Sequence, residues 1–115
     1  MGHMDKYRDD GRAKLAASLV AYGLQVSTEE ILESKRGSAK AAQARQIAMY
    51  VVYVGFGISL ARVAIAFNRD RSTVAYACHQ IEDRRDDPDF DKWLDALEGA
   101  LRTAAGLAGS VKTAA

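Results

Sequence analysis

Apolar side chains recur along this chain at the three- and four-residue spacing that gathers them on one face of an α-helix, most clearly between Ser59 and Ile81. Leu60, Val63, Ala64 and Phe67 form one stripe, and Val74, Ala77, Cys78 and Ile81 form another. Two short amphipathic helices at that separation can share one core. Between them, Asn68 can take the left-handed conformation that ends a helix, and Asp70 can accept from the free amides that start the next. The pattern predicts a helix-turn-helix.

The flanking segments read as further helices. Residues 5–10 are polar and expected to fray, after which Leu15, Leu19 and Val20 predict a helix from Gly11 to Tyr22 that Gly23 ends. Ser27-Thr28-Glu29-Glu30 reads as a cap and acidic first turn for a short helix through Ile31 and Leu32. The periodicity then breaks into a basic loop, residues 34–42, holding Lys35, Arg36, Gly37, Ser38 and Lys40. A helix over Ala39 to Val54 follows. It carries Ile47, Val51 and Val54 on one face and Met49, Val52 and Tyr53 on another, which marks it as central. Gly55 and Gly57 turn the chain out of it, with Phe56 plugging the core. After the helix-turn-helix, Asp86-Asp87-Pro88-Asp89 stops one helix and caps the last, in which Phe90, Trp93, Leu94 and Leu97 recur at helical spacing. The expected fold is all-α: a compact bundle of about six helices, with a tag remnant and flexible N-terminus at 1–10, the domain at 11–101 and a flexible tail at 102–115.

Composition removes several function classes. No apolar run approaches the roughly 20 residues of a membrane span, no GxxxxGK[ST] loop is present for nucleotide phosphates, and Met1-Gly2-His3-Met4 looks like an expression scar before a native start at Met4. The single cysteine, Cys78, with His3 and His79 as the only histidines, leaves too few soft ligands for a structural zinc site. Cys78 lies on an apolar stripe and reads as a buried structural thiol. Glu82, Asp83, Asp86 and Asp87 are neighbouring carboxylates, but beside Arg84 and Arg85 at a helix end they read as ion-paired rather than catalytic. Neither an enzyme nor a cofactor is expected.

The net charge is only +1, yet its distribution is uneven. Residues 34–85 hold nine cations against three acids, while the flanks hold seven against twelve. A localised basic patch matters more to nucleic acid than the overall balance. At the start of the second stripe, Arg69, Asp70, Arg71, Ser72 and Thr73 cluster as donors, acceptors and cations, the chemistry a helix needs to enter a major groove. Taken singly these residues also have bland readings: Asp70 as an N-cap, Ser72 and Thr73 as first-turn residues, Arg69 and Arg71 as solubilising charge.

The run Arg69-Asp70-Arg71-Ser72-Thr73-Val74, followed by Ala77-Cys78 and Ile81, resembles the signature of the C-terminal DNA-binding domain of the bacterial replication initiator DnaA. Ser34-Lys35-Arg36 is similar to that family's basic loop, Arg45-Gln46-Ile47-Ala48-Met49-Tyr50 to the start of its central helix, and Ser59-Leu60 with Ala66-Phe67 to the first helix of its helix-turn-helix. The likeness covers roughly Arg12 to Leu97, with one residue fewer at Asn68 than the usual two-glycine turn.

The resemblance implies roles. Asp70, Arg71 and Ser72 stand where the family meets base edges, with Arg71 replacing the usual His; Ala61 and Ala75 stand where small groups lie against thymine methyls. Lys35, Arg36, Lys40, Arg45, Gln46, Arg69 and Thr73 stand where phosphates or the minor groove are contacted. Gly37 occupies the position of the family's minor-groove arginine, with Arg36 just before it. The expected partner is double-stranded DNA at initiator-type sites, and the expected role a transcriptional regulator or a competitor in replication initiation. It would act as a cytoplasmic, nucleoid-associated monomer without nucleotide or membrane. The alternative is a protein-interaction module that binds the initiator or its regulators.

Overall fold

The computed structural model describes residues 2–33 and 37–109. Among them are six α-helices: α1 (Gly2–Leu24), α2 (Thr28–Leu32), α3 (Ala39–Phe56), α4 (Leu60–Phe67), α5 (Arg71–Arg84) and α6 (Pro88–Ala105), closed by a 3-10 turn over Gly106–Gly109. The expected all-α bundle with about six helices is the one observed.

α3 is the hub. Its Ala41, Ala44, Ile47, Ala48, Met49, Tyr50, Val51 and Val52 are all buried, so core side chains leave it on several faces and α1, α5 and α6 pack around it. Both stripes of the helix-turn-helix close onto this core, with Val63, Phe67, Val74 and Ile81 at 0–2% exposure. Val54, which shares an apolar face with Ile47 and Val51 in the sequence, is 48% exposed near the end of α3.

Local signals set most boundaries. Ser27, Ser38 and Ser59 each accept a backbone N–H three residues on, from Glu30, Ala41 and Arg62, and so cap α2, α3 and α4. Asp87 accepts from the Asp89 amide with Pro88 in the first turn of α6. α3 runs through Gly55 and stops at Gly57, whose φ of 62° a glycine adopts without strain.

Two expectations at the ends of α1 are corrected. Residues 5–10 are helical rather than frayed, because Asp9 is buried at 4% exposure and its carboxylate receives Arg62 from α4. At the other end Gly23 lies within the helix, and the left-handed residue is Gln25 (φ 58°), after which the Val26 amide bonds the Ala21 carbonyl at 3.1 Å. Gly23 serves close packing: a Cβ there would stand 3.1 Å from the Trp93 ring. Trp93 accordingly packs on the body of the domain, with Phe90 stacked at 6.0 Å between centroids. Residues 102–105, assigned to the tail, complete α6, and the 3-10 turn continues to Gly109. Lys35 and Arg36 lie outside the described residues.

Candidate nucleic-acid interface

α4 and α5 meet at a tight turn with a complete set of backbone partners. Asn68 ends α4 in the left-handed region (φ 54°, ψ 53°), the Arg69 amide bonds the Ala64 carbonyl at 2.9 Å, and the Asn68 amide bonds Ile65 at 3.2 Å. These are the two closing bonds of a Schellman end, satisfying carbonyls the helix would leave orphaned. One αL residue suffices for this turn, since a short polar side chain tolerates that conformation.

Asp70 follows in the N-cap position with extended backbone, yet its side chain makes no cap hydrogen bond. The capping contact foreseen for it is absent, and the carboxylate faces solvent. Asp70, Arg71, Ser72 and Thr73 are all exposed, as is Ala61 at the start of α4, while Ala75 is half-buried. Among the described residues the side chains of Asp70, Arg71, Ser72 and Thr73 have no hydrogen-bond or ion-pair partner. Arg71 borders an open depression with Tyr53, Gly57 and Ala61. One turn along α5, Tyr76 is 60% exposed and its hydroxyl accepts a 2.7 Å bond from Gln80 Nε2.

The arginines divide sharply. Arg45 donates from Nε to the Ile31 carbonyl at 2.7 Å and from Nη2 to the Glu30 carbonyl at 2.9 Å. Arg69 donates to the Phe67 carbonyl at 2.9 Å, to that of Asn68 at 3.1 Å and also to that of Glu33. Both guanidinium groups thus gather at the C-terminal end of α2, where unpaired carbonyls and the negative end of the helix dipole favour cations. Burial lowers the pKa of each, and the charge of Arg69 lowers that of Arg45 further. Sequence reasoning assigned both to phosphates; here they brace α2 against α3 and the turn.

Other cations of the basic segment are also engaged within the fold. Arg62 holds Asp9 and lies 3.9 Å from Asp5, with its pKa raised chiefly by the Asp9 hydrogen bond. Arg84 stacks 3.9 Å over the Phe90 ring. Arg85 reaches Asp91 at 2.5 Å, Glu98 at 3.2 Å and also Asp95, and donates to the Tyr50 hydroxyl at 3.1 Å. Tyr50 in turn donates to Glu82 at 2.5 Å; burial first, then this carboxylate, push its pKa up to about 12. The ion pairing expected for the carboxylates around residues 82–87 falls instead to Asp91, Asp95 and Glu98 on α6, while Asp87 caps that helix. Among the described residues no group of three or more His, Cys, Asp or Glu is placed to hold a metal. Of the nominally basic segment, Lys40 and Arg71 keep exposed charge without a partner among the described residues, and Gln46 is half-buried on α3.

The site residues therefore fall into two groups. Asp70, Arg71, Ser72, Thr73 and Ala61 gather at the start of α4 and α5. Lys40, Arg45 and Gln46 sit on α3, and Arg45 is turned toward α2. The inward engagement of Arg45, Arg62 and Arg69 escaped sequence reasoning because each has a partner remote in sequence or a backbone carbonyl, which carries no residue-type signal.

Comparison with known proteins addresses the same residues. The family described as "Bacterial dnaA protein helix-turn-helix" matches residues 15–81. The chromosomal replication initiator protein DnaA of Thermodesulfovibrio yellowstonii is 32% identical over 79 residues, 67% of this chain and 17% of the relative. That of Lactococcus lactis subsp. cremoris is 38% identical over 81 residues, 69% of this chain and 18% of the relative. This chain thus spans less than a fifth of the length of these relatives. A crystal structure of a DNA replication initiation factor superposes with a TM-score of 0.74 at 28% identity, covering 86% of this chain and 30% of that one.

Proposed function

The chain belongs to the bacterial DnaA helix-turn-helix family, and from that premise we propose that it binds double-stranded DNA sequence-specifically at initiator-type sites. In this reading it acts as a transcriptional regulator or as a competitor that tunes replication initiation. The observation that carries it is the unpartnered, exposed set Asp70, Arg71 and Ser72 at the N-terminus of α5, on a rigid turn. Asp70 as a pure acceptor suits a cytosine amino group, and the fork of Arg71 suits O6 and N7 of guanine. Ala61 and Ala75 offer small apolar contact to thymine methyls. Thr73, Lys40 and Gln46 contact the backbone, which sets register without reading sequence. Lys35 and Arg36 supply the loop's charge beside Gly37.

Fluorescence anisotropy tests the proposal, with a duplex carrying an initiator-type site against a scrambled duplex across a salt series. A preference of at least about a hundredfold is expected, since specific binders exceed their own nonspecific affinity by ~10³ or more. Equal, weak and steeply salt-dependent binding to both duplexes would refute base readout.

One observation favours a second reading. Arg45, Arg62, Arg69 and Arg85 are engaged internally, so the basic surface is smaller than the sequence suggests. That suits a protein-interaction module directed at the initiator or its regulators. Absence of binding to either duplex at low salt, with capture of the initiator that survives Arg71→Ala, would select this reading.

A further inference from the structure

The N-terminal half of α1 lies outside the residues matched by the family, 15–81, and yet it is fixed against the helix-turn-helix. Asp9 is the anchor. Its buried carboxylate takes Arg62 Nε at 2.8 Å and Nη2 at 2.9 Å, and Arg12 approaches at 3.4 Å. A two-bond guanidinium–carboxylate contact defines orientation as well as distance, so the α1 backbone near Asp9 holds a set position relative to α4, and through it to the turn before α5.

Two of those side chains are lysines. Lys6 lines one open depression with Ile65, Asn68, Arg69, Asp70 and Thr73, which is the turn and first residues of α5. Lys6 and Lys14 together line a second with Leu32 and Asn68, between α1, the end of α2 and the same turn. Both lysines are exposed, and eight residues of helix separate them by about 12 Å along the axis. The acids of α1 are occupied, Asp5 and Asp9 facing Arg62 and Asp10 pairing with Lys6 at 3.2 Å, and Asp70 across the depression is the acid left without a partner among the described residues. The Lys6–Asp10 pair is solvent-exposed on both sides, so it holds the ammonium weakly and leaves it open to exchange for a phosphate oxygen. Lys14 has no ion-pair partner among the described residues.

We infer that Lys6 and Lys14 form a second phosphate-contacting edge on α1, which grips the DNA strand flanking the groove that α5 enters. The edge rests on the DNA-binding reading above and extends it to a helix half that the family match does not include. Lysine serves here as a point charge on a flexible stem, so these contacts add affinity and salt dependence without reading bases.

The test compares wild type, Lys6→Ala/Lys14→Ala and Asp10→Asn by anisotropy on site and scrambled duplexes over a salt series, with circular dichroism as the fold control. Loss of two phosphate contacts lowers the slope of log K against log salt by about 1.8. It weakens both duplexes alike, so their ratio holds. Asp10→Asn removes a negative charge beside Lys6 and tightens both duplexes at low salt, whereas on a face more than a Debye length from the DNA it would change neither. An unchanged slope in the double variant, while wild type still prefers the site, would overturn the α1 edge and leave the DNA reading intact. Failure of wild type to bind either duplex would overturn both.

Discussion

Arg62 of α4 grips Asp9 of α1 through two guanidinium N–H groups, Nε to Oδ2 at 2.8 Å and Nη2 to Oδ1 at 2.9 Å, across 53 residues of sequence. Asp9 is the one buried charged residue among those described, and it ties the first helix of the chain to the first helix of the helix-turn-helix. Arg12 adds a third cationic contact to Asp9 while lying 4.3 Å over the Phe56 ring, which extends the same link to α3.

Asp9→Ala is expected to destabilise the domain by about 1.5–3 kcal/mol, the range for hydrogen bonds to a charged group. Hydrogen exchange should reveal where: amides of the first two turns of α1 lose protection ahead of those in α3. Equal protection of residues 5–10 in both proteins would show that other contacts hold α1.

Arg45 and Arg69 are expected to act on stability rather than on salt dependence. Arg69→Lys cannot reproduce a fork over several carbonyls, so both it and Arg45→Ala should lower stability by about 1–2 kcal/mol while the salt slope of DNA binding stays unchanged. A slope reduced by about 0.9 per variant with unaltered melting would instead return these arginines to the phosphates.

The turn at Asn68 offers a separate check. Its φ of 54° strains any residue with an unaccommodating side chain, so Asn68→Ala should cost about 1 kcal/mol in urea unfolding, whereas Asn68→Gly should be close to neutral. Equal stability of the two variants would mean that the turn relaxes out of the left-handed region.

Arg71→Ala should leave the fold intact, since the side chain is exposed and without a partner among the described residues. Affinity for the preferred site should fall by about 1–3 kcal/mol, roughly five- to 150-fold, with a much smaller change on scrambled DNA. A loss of the same size on both duplexes would reduce Arg71 to an electrostatic contact.

Cys78 carries a pH signature. Burial pushes its thiol up to about 11 from an ordinary 9.0, so the folded state holds the proton more tightly than the unfolded one. The associated stability is full below pH 9 and is lost as pH rises through about 11. Its size is on the order of 2 kcal/mol. Denaturant titrations from neutral to alkaline pH should show wild type losing its advantage over Cys78→Ala across that interval, while Tyr50, raised from 10.0 to about 12, adds from near pH 10 upward a loss common to both proteins. A constant difference between the two proteins would remove the thiol from the pH dependence.

Periodicity and capping chemistry act within a few residues, so they are legible in the chain itself. The stripes Val63, Ala64, Phe67 and Val74, Ala77, Cys78, Ile81 are buried as their spacing requires, and Ser27 and Asp87 cap the helices that their local sequence announces. Asn68 is left-handed for a reason carried by its own side chain. The exposed set Asp70, Arg71, Ser72 and Thr73 follows equally, since two fixed stripes determine which residues remain outside.

The tertiary structure decided which charges are available. Arg45 meets carbonyls 14 and 15 residues away, Arg69 one 36 away and Arg62 a carboxylate 53 away. No local pattern encodes such pairings, because they depend on how whole helices cross and, for the carbonyls, on backbone atoms that every residue shares. The same reason hid the N-terminal half of α1 and the Gly23–Trp93 contact. A polar segment such as 5–10 looks frayed until a partner helix supplies the opposite charge that makes its burial favourable.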